Sequence, residues 1–258
     1  MVPSIFDMTG RVALVTGAGT GLGARFCHCL AEAGASVVCV ARRRDKIEAV
    51  ASAIVAKGGK AVAVTADVSD SGSIVSAFDR AEAAFGLVDT VVANAGVAPS
   101  DRAHAITDGM WRETMGTNLD GVFYTAREAA RRLLNAGKPG AIVNIASILG
   151  YGVSKGTAAY STSKAAVVQM TQALALEWSF KGIRVNAIAP GYFVTDINRD
   201  YLTTESGQVM TRQIPMGRFG EESDLDGALL LLVSDAGRFI TGTTITVDGG
   251  QRIQLRGA

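Results

Sequence analysis

The sequence predicts a doubly wound α/β fold on a seven-stranded parallel sheet, and three observations carry that expectation. Short apolar runs rich in β-branched residues recur along the chain. Alanine-rich segments with apolar residues at helical spacing separate them, and the first run leads straight into a glycine-rich turn. Strands that alternate with helices need crossover connections, which are right-handed and leave a parallel sheet with helices on both faces.

The strands are expected at residues 11–16, 36–41, 61–65, 88–93, 141–146, 183–189 and 244–247. They are read as seven buried strands, because their apolar character is continuous rather than alternating. Helices are expected at 22–33, 45–57, 73–85, 111–135, 158–180 and 222–233. No repeat and no Pro/Gly/Ser linker divides the chain, so residues 1–258 are expected to form one domain. The least regular stretch, 190–220, contains Pro190, Gly191, Pro215 and Gly217 and follows the sixth strand. Ligands of open α/β sheets bind beyond the carboxyl ends of the strands, which makes this stretch the expected substrate lid.

Composition narrows the partners. Hydrophobic residues are 48% of the chain and its formal net charge is +1, so no global field draws nucleic acid or an anionic membrane. A small-molecule ligand is expected instead. Cys27, Cys29 and Cys39 form no CxxC pair and read as reduced, buried thiols, while residues 1–10 lack the features of a signal peptide. No apolar stretch approaches a membrane span, so a soluble cytoplasmic protein is expected. His28 and His104 stand alone, and no residue spacing suggests a metal site.

The turn after the first strand reads Thr16-Gly17-Ala18-Gly19-Thr20-Gly21-Leu22-Gly23 and opens the first helix. Glycines there allow a tight turn and close backbone approach, and the free amides of the helix attract a pyrophosphate. Gly17, Thr20, Gly21, Leu22 and Gly23 are therefore expected to hold a dinucleotide. The acidic residue that usually marks NAD is missing about twenty positions on. The second strand ends in Arg42-Arg43-Arg44, and Arg42, with Arg43 second, suits the extra phosphate of NADP(H). Asp45 and Glu48 also allow the run to be a solvated helix start, so NAD(H) stays possible.

Tyr160 and Lys164 lie four apart on an expected helix and share one face. An ammonium beside a phenol favours the phenolate, which is expected to bring the tyrosine toward the working pH range. Ser147 closes the fifth strand at the ligand-binding edge, where its hydroxyl is placed to hold a carbonyl oxygen that gains charge.

At this point nearly the whole chain resembles the short-chain dehydrogenase/reductase family in its single-domain branch, with a Rossmann-type fold. The match includes the TGxxxGxG turn from Thr16 to Gly23, Asp67, Asn94-Ala95-Gly96, Asn118, Ser147 and the YxxxK. It continues through Arg184-Val185-Asn186, Pro190-Gly191, Thr195 and Asp248-Gly249-Gly250. Ala93 stands where many relatives carry an asparagine.

The resemblance implies a catalytic tetrad of Asn118, Ser147, Tyr160 and Lys164, with Tyr160 as the acid in reduction and the base in oxidation. Lys164 would also hold the nicotinamide ribose, and Asn118 would support a proton-relay water. Asp67, with Val68 beside it, would meet the adenine, Asn94 and Gly96 would floor the adenosine, and Phe193 and Thr195 would contact the carboxamide.

The resemblance further implies a homotetramer, with helices 111–135 and 158–180 pairing across one interface and the last strand and tail forming another. The tail, residues 252–256, is itself expected to reach a neighbouring pocket. The activity expected is that of an NADP-dependent ketoreductase like the 3-oxoacyl-carrier-protein reductases. An NAD-dependent alcohol dehydrogenase and a non-catalytic dinucleotide-binding sensor remain the alternatives. Tyr151, Tyr192 and Phe193 suit a hydrophobic ketone, a sterol-like ring or an acyl chain equally well.

Overall fold

The computed structural model describes residues 4–194 and 204–253. Among them lie strands β1 (Val12–Thr16), β2 (Ser36–Ala41), β3 (Lys60–Thr65), β4 (Thr90–Ala93), β5 (Gly140–Ile145), β6 (Ile183–Pro190) and β7 (Thr244–Val247). They form one parallel sheet in the order β3-β2-β1-β4-β5-β6-β7. The helices are α1 (Gly21–Glu32), α2 (Arg44–Ala56), α3 (Ser71–Phe85), α4 (Asp108–Met115), α5 (Gly121–Ala136), α6 (Ala158–Trp178), α7 (Glu205–Arg212) and α8 (Asp226–Val233). The strand order reverses between β1 and β4, which opens a crevice beyond their carboxyl ends.

Strand alternation explains why the apolar runs are continuous. Ala13 and Val15 of β1 face a core shared with Phe26 of α1, Ile47 of α2 and Leu229 of α8. Val12 and Leu14 point the other way, into a core with Phe78 of α3, Leu133 of α5 and Leu174 of α6. Burying such a Leu, Ile or Phe contributes about 1.5–3 kcal/mol, so two such layers clamp the sheet from both sides. The edge strands correct one expectation: β7 is half-buried throughout, and β3 exposes both its ends. Each has a strand neighbour on one side only.

The helix expected over 111–135 is also corrected. A π-turn at Gly116–Asp120 joins α4 to α5, and such turns are frequent at functional sites. On α5, Arg132 reaches Glu128 at 2.7 Å, Glu82 at 2.8 Å and Asp79 at 2.6 Å, which ties α5 to α3. Its side chain is only 11% exposed, so these pairs are screened less than surface ones.

The stretch expected as an irregular lid contains α7, capped by Thr204, whose hydroxyl accepts from Gly207 N at 3.2 Å. Its two ends are joined where Val194 N donates to Gly220 O at 2.8 Å and Gly220 N donates to Tyr192 O at 3.0 Å. A Cβ on Gly220 would fall 2.5 Å from the Phe193 ring, so glycine permits the closure. Thr195 lies outside the described residues.

Candidate active site

The carboxyl end of β1 is built by close backbone approach. A Cβ on Gly23 would sit 2.2 Å from Gly17 O, and one on Gly17 would sit 2.8 Å from the Ala95 Cα, so neither position admits a side chain. Asn94 completes the turn: its Nδ2 donates to Thr16 O at 3.0 Å, and its backbone N donates to Thr16 Oγ1 at 3.0 Å. Asn94 thereby locks β4 to the glycine turn, and Gly96 continues that loop toward Asn118 and Lys164.

These residues fit a dinucleotide. Thr20 is the N-cap of α1 but makes no side-chain cap bond, and the first turn of α1 holds no acidic residue. The helix therefore presents its first amides and positive dipole end to an anion. Arg43 Nη2 donates to Thr20 Oγ1 at 3.4 Å, and Arg42 Nη1 lies 4.0 Å from Asp67 Oδ2. Two exposed guanidinium groups thus stand beside the glycine turn, the chemistry that a 2′-phosphate needs.

Asp67 Oδ1 accepts from Ser69 N at 3.0 Å and Ser69 Oγ at 2.7 Å, bonds that hold its carboxyl below the ordinary range. The cap of α3 is Asp70 instead, and Asp67 Oδ2 faces Arg42. Val68 packs under α5, where a Cβ on Gly121 would come within 2.7 Å of it.

Ser147, Tyr160 and Lys164 gather at the carboxyl end of β5. Ser147 caps the 3-10 turn Ile148–Gly150, its Oγ accepting from Leu149 N at 3.1 Å, and its hydroxyl is near enough to Tyr160 to draw the phenol's pKa down. Lys164 is 3% exposed; its Nζ donates to Ile145 O at 2.8 Å and sits 5.7 Å from the centre of the Tyr160 ring. Burial draws the ammonium down to about 8.

Asn118, fully buried on the π-turn, donates from Nδ2 to Val97 O at 2.8 Å and to Ser163 Oγ at 3.2 Å, and accepts from Val97 N at 2.8 Å. A Cβ on Gly96 would lie 3.3 Å from Asn118 Oδ1 and 3.7 Å from Lys164 Nζ, so these three residues are neighbours.

One expectation is reversed here. Tyr160 is held above its ordinary pKa, first by burial, against the opposing hydrogen bond from Ser147. Among the described residues the hydrogen bond of Lys164 Nζ goes to Ile145 O and not to the Tyr160 hydroxyl. Tyr160 is thus a neutral phenol at neutral pH, ready to donate.

A cleft of about 220 Å³ borders the lid, lined by residues including Tyr192, Phe193, Met216, Val247 and Gly249. Tyr192 packs edge-on against Phe219, with ring centres 6.2 Å apart. A larger cleft of about 450 Å³ lies at the opposite edge of the sheet, where Thr90 and Gly140 begin β4 and β5. There Arg184 Nη1 is occupied by Leu232 O at 2.7 Å, and no tyrosine lines the cavity.

Sequence reasoning missed Ser163, which joins Asn118 to the Tyr160 carbonyl by accepting from one and donating to the other at 2.7 Å. Nothing in the spacing separates Ser163 from Ser161. At the start of the tail, Arg252 lies over Tyr151 of the same chain, and residues 254–258 fall outside the described residues.

The family model described as enoyl-(acyl carrier protein) reductase matches residues 17–252. A 2-dehydro-3-deoxy-D-gluconate 5-dehydrogenase of Dickeya dadantii is 37% identical over 254 residues, covering 97% of this chain and 98% of that protein. A 3-oxoacyl-[acyl-carrier-protein] reductase of Staphylococcus aureus is 38% identical over 241 residues, covering 93% and 97%. The structure of a gluconate 5-dehydrogenase from Burkholderia cenocepacia, in complex with NADP and tartrate, superposes with a TM-score of 0.92 at 34% identity, covering 97% of this chain and 98% of that one. With the glycine turn, the YxxxK and the sheet order described above, these matches make the chain a member of the short-chain dehydrogenase/reductase family of oxidoreductases.

Proposed function

We propose that the protein is an NADP(H)-dependent ketoreductase that interconverts a carbonyl and a secondary alcohol, with Tyr160 exchanging the proton. The observation that carries this reading is the meeting of Tyr160, Ser147 and the buried Lys164 at the carboxyl end of β5, across from the glycine turn. NADP(H), when bound, supplies or accepts the hydride. Ser147 holds the substrate oxygen, and Tyr160 donates its phenolic proton to that oxygen in reduction and recovers it in oxidation. Lys164 holds a positive charge beside the ring and binds the ribose. Asn118 fixes the loop over Lys164 Nζ, the exit route for the proton.

Arg42 and Arg43 support NADP(H) over NAD(H), as does the NADP held by the Burkholderia relative. In this reading one domain serves both cofactor and substrate, Phe193 and Thr195 border the nicotinamide, and residues 190–220 cover the substrate. Arg42→Ala is expected to lower kcat/KM for NADPH about 10- to 100-fold while changing that for NADH less than about threefold, since a charge-assisted fork to phosphate is lost. Initial rates with each cofactor check this, and equal losses for both would remove the phosphate assignment.

The assembly we propose is a cytoplasmic homotetramer. Leu176 of α6 and Phe180 just beyond it are 83% and 77% exposed, apolar surface on the helix expected to pair. Sedimentation reads this directly, and a monomeric mass would contradict it.

A further inference from the structure

The active-site mouth carries a cation whose partner is not accounted for by the reaction. Tyr151 follows Ser147 by four residues, and a Cβ on Gly150 would lie 2.9 Å from Lys164 O, so this loop rests against α6 beside the proton-transfer groups. The chain after β7 reaches the same place. Asp248 abuts Gly191, where a Cβ would come within 2.7 Å, and Gly250 abuts Pro215 of the lid, at 3.1 Å by the same measure. Residues 248–253 therefore lie between the loop after β5, the loop after β6 and the lid. From this segment the Arg252 Cζ is held 4.2 Å from the centre of the Tyr151 ring, which is itself 42% exposed.

Such a contact occupies the face of a guanidinium and leaves the N–H donors at its edge. Among the described residues no carboxylate pairs with Arg252, and no hydrogen bond takes its side-chain donors. The nearby Asp248 is spent on backbone, with Oδ1 accepting from Gly250 N at 2.9 Å and Oδ2 from Arg252 N at 2.7 Å. Arg218 in the adjoining cleft differs, because its Nη1 is committed to Asp224 at 2.6 Å. Arg252 is thus an oriented cation with unspent donors, three residues beyond Gly249, which lines the cleft beside the lid.

We infer that the substrate carries a carboxylate, and that Arg252, steadied on Tyr151, binds it at the mouth of the site. A planar guanidinium matches a carboxylate in a two-pronged hydrogen bond, and prior placement on the ring lowers the ordering cost. One guanidinium balances a monoanion, whereas a phosphomonoester would bring nearly two negative charges. The inference rests on the ketoreductase reading, in that the mouth is taken as the substrate's entry.

The test compares 4-oxocyclohexanecarboxylate with its methyl ester under NADPH, in the full-length wild type, Arg252→Met and Arg252→Lys. The wild type is expected to prefer the acid. In Arg252→Met the acid-to-ester ratio of kcat/KM should fall about 10- to 100-fold, mainly through KM, with partial recovery in Arg252→Lys. An unchanged ratio in Arg252→Met overturns the inference. Calorimetry on the wild type with cyclohexanecarboxylate and cyclohexanecarboxamide supplies a second readout that needs neither turnover nor a folded variant. Tighter binding of the carboxylate supports the inference, and equal binding overturns it. Absence of turnover with carboxylate-selective binding intact would count against the ketoreductase reading alone.

Discussion

Tyr160→Phe is expected to lower kcat for carbonyl reduction about 10²- to 10⁴-fold, the range for removing a positioned general acid. The substitution deletes one oxygen and keeps a ring that is half-buried on α6, so the fold and the cofactor turn across the crevice should be untouched. Burial keeps Tyr160 protonated, so at neutral pH the wild type reacts from the phenol form, which the variant lacks. kcat and kcat/KM should fall together, because the lost interaction belongs to the transition state, while the Kd for NADPH stays within a few-fold. Steady-state kinetics beside fluorescence titration with NADPH read both quantities. A kcat within tenfold of wild type would remove Tyr160 from the proton path.

Lys164→Met is expected to act on activity and stability in opposite directions. Activity should fall about 10²-fold or more, since the variant loses the charge beside Tyr160 and the group expected to hold the ribose. Stability should rise at neutral pH. Burial lowers the lysine from 10.5 to about 8 in the folded chain, so the native state disfavours the ammonium.

Between those values the unfolded chain carries the proton and the folded chain does not, so wild-type stability climbs with pH through that window. Below about 8 both states are protonated and the full cost, about 3 kcal/mol, is felt. The variant avoids this cost but orphans Ile145 O, a loss of about 1 kcal/mol, so it should be about 2 kcal/mol more stable at pH 7. That advantage should vanish toward pH 10. Urea unfolding of the cofactor-free proteins at both pH values measures it, and a variant less stable at pH 7 would refute the burial argument.

The architecture was legible because burial on two faces writes itself into composition. β1 alternates between two cores, both apolar, and so shows as an unbroken run that no surface strand would have. The glycine turn was legible for a steric reason, since a side chain at Gly17 or Gly23 would collide with backbone. Tyr160 and Lys164 could be paired from helical spacing alone.

Other features depend on tertiary contacts that leave no periodic trace. The π-turn that buries Asn118 interrupts a pattern that otherwise reads as one helix, and next to it Gly121 packs against Val68 with no room for a Cβ. The direction of the Tyr160 shift required knowing how far the fold buries its hydroxyl, which no local spacing records. Arg252 could not be placed from sequence, because its partner Tyr151 is one hundred and one positions away in the chain.

Hydride transfer from NADPH to a carbonyl carbon, with Tyr160 as the proton donor, leaves an isotope signature that can be read in the product. The purified protein would be incubated with a panel of ketones and acyl thioesters and with NADPH deuterated at the reactive C4 position, and the products read by mass spectrometry and NMR. An alcohol with one deuterium on the carbinol carbon is expected, formed by the wild type and not detectably by Tyr160→Phe in the same interval. Bound NADPH that yields no labelled alcohol from any member of the panel, or equal labelling by Tyr160→Phe, would contradict it.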